Sequence, residues 1–279
     1  MLANGFDKIQ RGGHTLYIRK NFRNNTLEQA LLAGEKELQR CYQLTTIQSS
    51  KFARVYKFTV HFDDADREIY YKSYLYRSIW DFIKHLFRTS RASRAFNASL
   101  MLAENGFDTP AIIAMGKRKF NLFYTEDFLV TLGVENAKRI YECLFDTLEN
   151  LTSEQVRSKR KLAQAFGRTV GRMHARGIFH GDLRLGNILA KQENDNWRFF
   201  LLDNERTKKI HRLPFRLRLK NLVQVNMFPP AYMSNSDRMR FFKEYWAESK
   251  KSGVKKVLLI KKILKKTSRR LRKKMRSGG

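Results

Sequence analysis

The sequence predicts an α+β protein in two lobes, a β-rich first lobe around one main helix and a mostly helical second lobe, followed by a basic C-terminal helix. Three observations predict it. β-rich runs dominate roughly the first 130 residues, helical periodicity takes over after them, and Ser249 to Gly279 holds fourteen lysines and arginines without one acid. The expected units are residues 1–130, 131–248 and 249–279.

Each element has its own signal. HTLYIRKNF (14–22) alternates as a short strand, and LEQALLAGEKELQRCY (27–42) has helical spacing. RVYKFTVHF (54–62) and REIYYKSYL (67–75) read as one hairpin joined by the acidic turn DDAD. SRASRAFNASLMLAENG (90–106) opens on a serine and stops at Gly106, which marks a helix. PAIIAMG (110–116) is strand-like, NLFYTEDFLV (121–130) is β-rich as far as Thr125, and a helix is expected over 135–150. In KRKLAQAFGRTVGRMHARG (159–177), Leu162, Phe166, Val170 and Met173 share one helical face and Gly177 ends the run.

Size and charge limit the function. At 279 residues, 42% hydrophobic and 13% aromatic, the chain can bury a core and is not disordered. The formal charge is +30, of which +16 lies before Ser249, so phosphates, acidic membrane surfaces or nucleic acid are the expected classes of partner. Cys41 and Cys143 make no disulfide framework, and the opening MLANGFDKIQRGG lacks the apolar stretch of a secretory signal; the expected setting is reducing and cytoplasmic. The longest aliphatic run, Val257 to Ile260, is far short of the ~20 residues that cross a bilayer.

Chemistry concentrates in HGDLRLGNIL (180–189). Asn187 follows Asp182 by five residues, and RFFLLDNERT then delivers Asp203 at the end of a strand over Phe199–Leu202. Phosphoryl transfer uses such a set: a carboxylate to take the proton of the acceptor hydroxyl, and an Asn and an Asp to hold Mg²⁺ against the phosphates of ATP. The loop has the H-x-D-L-x-x-x-N pattern of protein kinase-like enzymes, with Gly181 where many protein kinases carry arginine. A two-lobed protein kinase-like fold also needs a lysine on the third strand of its first lobe. Lys72 stands there, its plainer reading being a solvent-facing strand lysine. Two features depart from the pattern. No glycine lies between Gly34 and Gly106, so QSSK (48–51) takes the place of a glycine-rich phosphate loop, and residues 90–103 hold no acid to pair with Lys72.

Over about residues 10–248 the chain resembles the lipopolysaccharide core kinases, the Kdo/heptose kinase family of Gram-negative bacteria. The motifs that carry the resemblance are YYKSY, SRASRAFNASLMLAENGFDTP, HGDLRLGNIL, LLDNERT, NLVQVN and DRMRFFKEYW. It implies ATP-dependent phosphorylation of a sugar hydroxyl on a lipid-anchored core oligosaccharide, by an enzyme peripheral on the cytoplasmic face of the inner membrane. By this resemblance Asp182 is the base, Asn187 and Asp203 ligate Mg²⁺, Lys72 holds the phosphates, and Glu126 and Asp127 lie at the hinge beside adenine, chiefly through backbone groups. His180 is expected to brace the loop and Glu205 to pair with Arg206. Arg184 is a candidate contact for the anionic acceptor or the transferred phosphate, or else a surface cation.

In the tail, Val257, Ile260, Leu264, Leu271 and Met275 recur at three- or four-residue steps, Thr267 fills the gap, and cations cover the other face. This suits a basic amphipathic helix on an anionic membrane, or a solvated tail with some RNA affinity. Its removal is expected to leave the lobes folded. Other readings remain: an atypical protein kinase or small-molecule kinase, a catalytically silent kinase-fold scaffold at the membrane, and a nucleic-acid-binding protein favoured by charge alone. The last lacks an interleaved aromatic motif, and no specific nucleic-acid partner is expected.

Overall fold

A computed structural model describes residues 5–49, 51–62, 65–75, 89–120, 123–144, 151–194, 196–228, 232–249 and 255–277. The chain divides into two compact units, Met1–Leu100 with Pro110–Glu135, and Met101–Thr109 with Asn136–Gly279.

The first unit is built on seven strands: β1 (Phe6–Arg11), β2 (His14–Arg19), β3 (Thr45–Ile47), β4 (Ala53–Phe62), β5 (Ala65–Tyr74), β6 (Ile112–Phe120) and β7 (Phe123–Leu132). They form one antiparallel sheet in the order β1-β2-β6-β7-β5-β4-β3. Along the β4–β5 hairpin, Phe58, Val60, Phe62, Ile69 and Tyr71 alternate into a core shared with Leu16, Ile18, Ile113 and Val130. Ala65 and Asp66, expected in the turn, pair with Phe62 and His61 in the ladder. β7 continues past Thr125 to Leu132 because β5 pairs with it from Ser73 to Ile69.

The helix expected over 27–42 is two helices, α1 (Asn25–Ala33) and α2 (Glu35–Cys41). Gly34 separates them at φ +100°, a conformation that side chains beyond glycine rarely adopt. Asn24 caps α1 by accepting from Leu27 N at 3.0 Å, and Leu27, Ala30, Leu31 and Leu38 seal that face of the sheet. Helix α3 (Arg91–Glu104) starts after Ser90, as its sequence predicts. Ala92, Ala95 and Phe96 of α3 bury against Phe6, Tyr74, Ile112, Met115 and Leu129.

The second unit holds α4 (Ser153–Ala175), α5 (Phe215–Val225), α6 (Asn235–Glu248) and α7 (Lys256–Ser277). Its short strands are β8 (Lys138–Arg139), β9 (Ile178–Phe179), β10 (Ile188–Glu193), β11 (Asn196–Leu201) and β12 (Lys208–Lys209). A capping box between Thr152 and Gln155 starts α4, whose stripe of Leu162, Phe166, Val170 and Met173 is buried as expected. The helix expected over 135–150 does not form in its described part, 135–144. Lys138 and Arg139 pair instead with Ala190 and Leu189 of β10, Arg139 Nη1 donates to Gly186 O at 2.7 Å, and a single turn follows at Glu142–Leu144. Residues 145–150 lie outside the described residues.

Helix α7 also departs from expectation. Of the expected stripe, Val257 (63% exposed), Leu264 and Met275 face solvent, but a second apolar face that the stripe does not include, Leu259 (0%) and Ile263, enters the core of the second unit. Thr267 is buried beside them and accepts from Asn226 Nδ2 at 3.1 Å. Steps of four residues put Leu259, Ile263 and Thr267 on one face, and docking there fixes the rotation of the helix. Helix α7 therefore contributes side chains to the core of the second unit, which runs against the expectation that the lobes stay folded without the tail.

Candidate active site

The loop between β9 and β10 carries the predicted site residues of the second unit. His180 is fully buried. Its Nε2 donates to Leu202 O at 3.0 Å, and its Nδ1 accepts from Asp182 N at 3.1 Å. These bonds need the neutral ring, and burial lowers its pKa below the ordinary imidazole value. His180 thus braces Asp182 against the residue that precedes Asp203. Gly181 is required by close packing: a Cβ there would lie 2.1 Å from Arg206 Cβ and 2.8 Å from Arg206 O. The arginine common at this place in protein kinases does not fit against the turn at Asn204–Arg206.

Asn187 closes the loop from its other end. Its Nδ2 donates to Asp182 O at 3.0 Å, and its carbonyl accepts from Leu202 N at 2.9 Å. Asp203 follows immediately, exposed and left-handed at φ +55°. The Oδ1 of Asn187 and the carboxylate of Asp203 are hard oxygen donors of the kind Mg²⁺ prefers. Among the described residues no cluster of three or more His, Cys, Asp or Glu side chains could hold a metal ion.

The Asp182 carboxylate is held from two sides. Gln224 Nε2 and Arg184 Nε donate to Oδ1 at 2.9 and 2.8 Å, and Arg184 Nη2 also pairs with Oδ2. That bidentate pairing raises the Arg184 pKa above its ordinary value, although the side chain is largely exposed. Glu205 and Arg206 pair with each other at 3.6 Å, as expected.

Behind Asp182 lies a buried polar chain that sequence reasoning missed. Arg218 Nη1 donates to Tyr245 OH (2.6 Å), which stands 3.1 Å from His174 Nδ1, and His174 Nε2 reaches Asn221 Oδ1 at 3.2 Å. Asn221 Nδ2 donates to His180 O at 2.6 Å and to Gln224 Oε1 at 3.1 Å, and Gln224 Oε1 also accepts from Leu183 N at 3.3 Å. Burial, and then the charge of Arg218, push the His174 pKa down to about 3, so the ring is neutral: Nε2 donates to Asn221 and Nδ1 accepts from Tyr245. The available signal was the spacing of Arg218, Asn221 and Gln224 at three-residue steps, a buried polar stripe on α5.

In the first unit, Lys72 lies on β5 between β4 and β7, opposite Val55 and Leu129. Its Nζ stands 5.2 Å from the centre of the Tyr74 ring, which also faces the Arg91 guanidinium at 4.9 Å. Ser49, in the QSSK stretch between β3 and β4, donates to Ala53 O at 2.5 Å. Glu126 and Asp127 are not at a hinge. Both lie within β7, opposite Arg118 and Lys117 of β6, several residues before the strand ends. The buried Asp127 carboxylate instead accepts from Ala92 N at 2.7 Å in the first turn of α3. The segment that leads into the second unit begins after Leu132.

A sheet carrying the strand lysine and a helical unit carrying this loop define a protein kinase-like fold. The solved structure of WaaP in complex with acyl carrier protein matches it with a TM-score of 0.62 at 20% identity, over 91% of this chain and 98% of that one. The profile of the lipopolysaccharide kinase (Kdo/WaaP) family matches residues 40–245, and the chain belongs to that family. A 3-deoxy-D-manno-octulosonic acid kinase of Mannheimia succiniciproducens is 27% identical over 162 residues, which cover 57% of this chain. The match spans 61% of that relative's length.

Proposed function

We propose that the chain is an ATP- and Mg²⁺-dependent kinase that phosphorylates a sugar hydroxyl of a lipopolysaccharide core, on a Kdo or heptose residue of a lipid-anchored acceptor. One observation carries the reading. In a chain of this family, the Asp182 carboxylate is fixed between Gln224 and Arg184, on a loop whose Asn187 is pinned to Leu202 beside Asp203.

Asp182 would orient the acceptor hydroxyl and take its proton as the oxygen bonds to the γ-phosphorus of ATP, whose bond to the bridging oxygen breaks to release ADP. Arg184 would turn from Asp182 to the transferred phosphate or the anionic acceptor, which frees the base as it neutralises the new charge. Asn187 Oδ1 and Asp203 would hold Mg²⁺, which supplies positive charge to the phosphates when bound. Lys72 would grip the phosphates from its strand. His180 keeps the loop in shape and moves no proton.

We place the enzyme peripherally on the cytoplasmic face of the inner membrane. The eleven cations of α7, with exposed Val257, Leu258, Leu264 and Met275 among them, support contact with anionic lipid. Each cation near such a surface adds up to about 1 kcal/mol. Among the described residues no helix is long and apolar enough to cross a membrane. Mass spectrometry of lipopolysaccharide from cells with and without the chain tests the proposal. A core phosphate lost with the gene and restored by wild type but not by Asp182→Asn supports it, and unchanged core phosphorylation refutes it.

A further inference from the structure

A pocket of about 390 Å³ opens between α5 and α7. It is lined by Arg216, Leu217, Lys220 and Val223 of α5 and by Lys266 and Arg270 of α7. Four of these six are cations, spaced four residues apart on each helix, so each pair shares a face. The rotation that buries Leu259, Ile263 and Thr267 also brings Lys266 and Arg270 to the α5 side.

The pocket adjoins the catalytic loop. Lys220 Nζ donates to Gly181 O at 3.2 Å, one residue from Asp182. Burial lowers the Lys220 pKa, and the charges of Arg206 and Arg270 lower it further against the pull of Asp182. Among the described residues none of the four lining cations forms an ion pair with an acid; Asp182, the acid that acts on Lys220, pairs with Arg184. Gathering like charges costs free energy that a bound anion would offset.

Resting on the kinase reading, we propose that this pocket is an acceptor subsite: it binds an anionic group of the saccharide, a sugar-acid carboxylate or a core phosphate, and so presents a nearby hydroxyl to Asp182. Two helices converge on one anion, and Lys220 links their pocket to the loop that bears the base. Substrate selection would then depend on a charge removed from the reacting hydroxyl.

The test uses the full chain, Mg·ATP and a deacylated, water-soluble core saccharide, with no membrane present. Lys266→Gln/Arg270→Gln changes two exposed residues, and Lys261→Gln/Arg272→Gln removes equal charge from another face of α7 as a control. The pocket variant should raise KM for the saccharide at least about tenfold, with kcat and the KM for ATP within about twofold, and the control should not. Carboxyl reduction or dephosphorylation of the saccharide should cost wild type a similar factor and cost the pocket variant little more; whichever treatment does so identifies the anion. Equal losses in the pocket variant and the control would overturn the subsite in favour of general surface charge. A loss seen only with acceptor in anionic vesicles would overturn it in favour of phospholipid headgroups. If wild type transfers no phosphate, the kinase reading fails, and calorimetric binding of the same saccharide decides the subsite alone: binding lost in the pocket variant sustains it, and equal or absent binding overturns it.

Discussion

Gln224 gives the sharpest test of how Asp182 is held. It is nearly buried, its Nε2 lies 2.9 Å from Asp182 Oδ1, and its Oε1 accepts from both Leu183 N and Asn221 Nδ2. Gln224→Leu keeps the volume and removes all three bonds. A hydrogen bond to a charged group contributes about 1.5–3 kcal/mol, which corresponds to about 10–150-fold in rate if it serves only to keep the carboxylate in its reactive orientation. Arg184 still grips both carboxylate oxygens, so the carboxylate should swing toward it and the loss should be nearer the upper value. The fall should appear in kcat, with the KM for ATP unchanged, because Gln224 touches the base and not the nucleotide. Steady-state transfer to a soluble core saccharide measures it, with urea unfolding as a check on the fold. A kcat within about twofold of wild type in a folded variant would refute the role given to Gln224.

Other residues give independent checks. Leu259→Ala should destabilise the second unit by about 2–5 kcal/mol, whereas Val257→Ala, largely exposed, should change it by less than about 0.5 kcal/mol; tryptophan fluorescence in urea reads both, and equal effects would contradict the docking of α7. Asp203→Asn tolerates the left-handed backbone but loses the charge, so transfer should fall steeply at a fixed Mg²⁺ concentration while the unfolding midpoint holds. His174 is buried neutral, its pKa pushed down from 6.5 to about 3, so the unfolded chain binds the extra proton between those values. That share of stability is present above pH 6.5 and is lost as pH falls toward 3, by up to about 1.4 kcal/mol per unit, with His180 adding in the same direction. Urea midpoints from pH 7 to 5 should fall less steeply in His174→Gln than in wild type, and equal slopes would count against the buried neutral ring.

The parts of the chain legible in its sequence are those fixed by short-range pattern. The stripe Leu162, Phe166, Val170 and Met173 is one helical face whatever it packs against, and Asp182 and Asn187 sit on a single loop. The parts that were not legible depend on distant partners. β1 has few apolar residues and exists because it pairs in full with β2, and β8 forms because β10 lies beside it. The burial of Leu259 and Ile263 is decided by α5 and the core beneath α7, so the pattern displays the exposed stripe of the helix but not the face that docks. Glu126 and Asp127 lie inside β7 and not at its end because the length of the strand is set by pairing with β5 and β6, which the local sequence does not display. Gln224 reads as an ordinary helix residue until the loop folds over it.

Whether the chain is a core kinase is decided by mass spectrometry of a purified, deacylated core saccharide after incubation with the full chain and Mg·ATP. Wild type is predicted to add one phosphate to a sugar hydroxyl, and Asp182→Asn to add none while still binding ATP. A saccharide left unmodified by wild-type protein that binds Mg·ATP, or phosphorylated equally well by Asp182→Asn, would contradict the account.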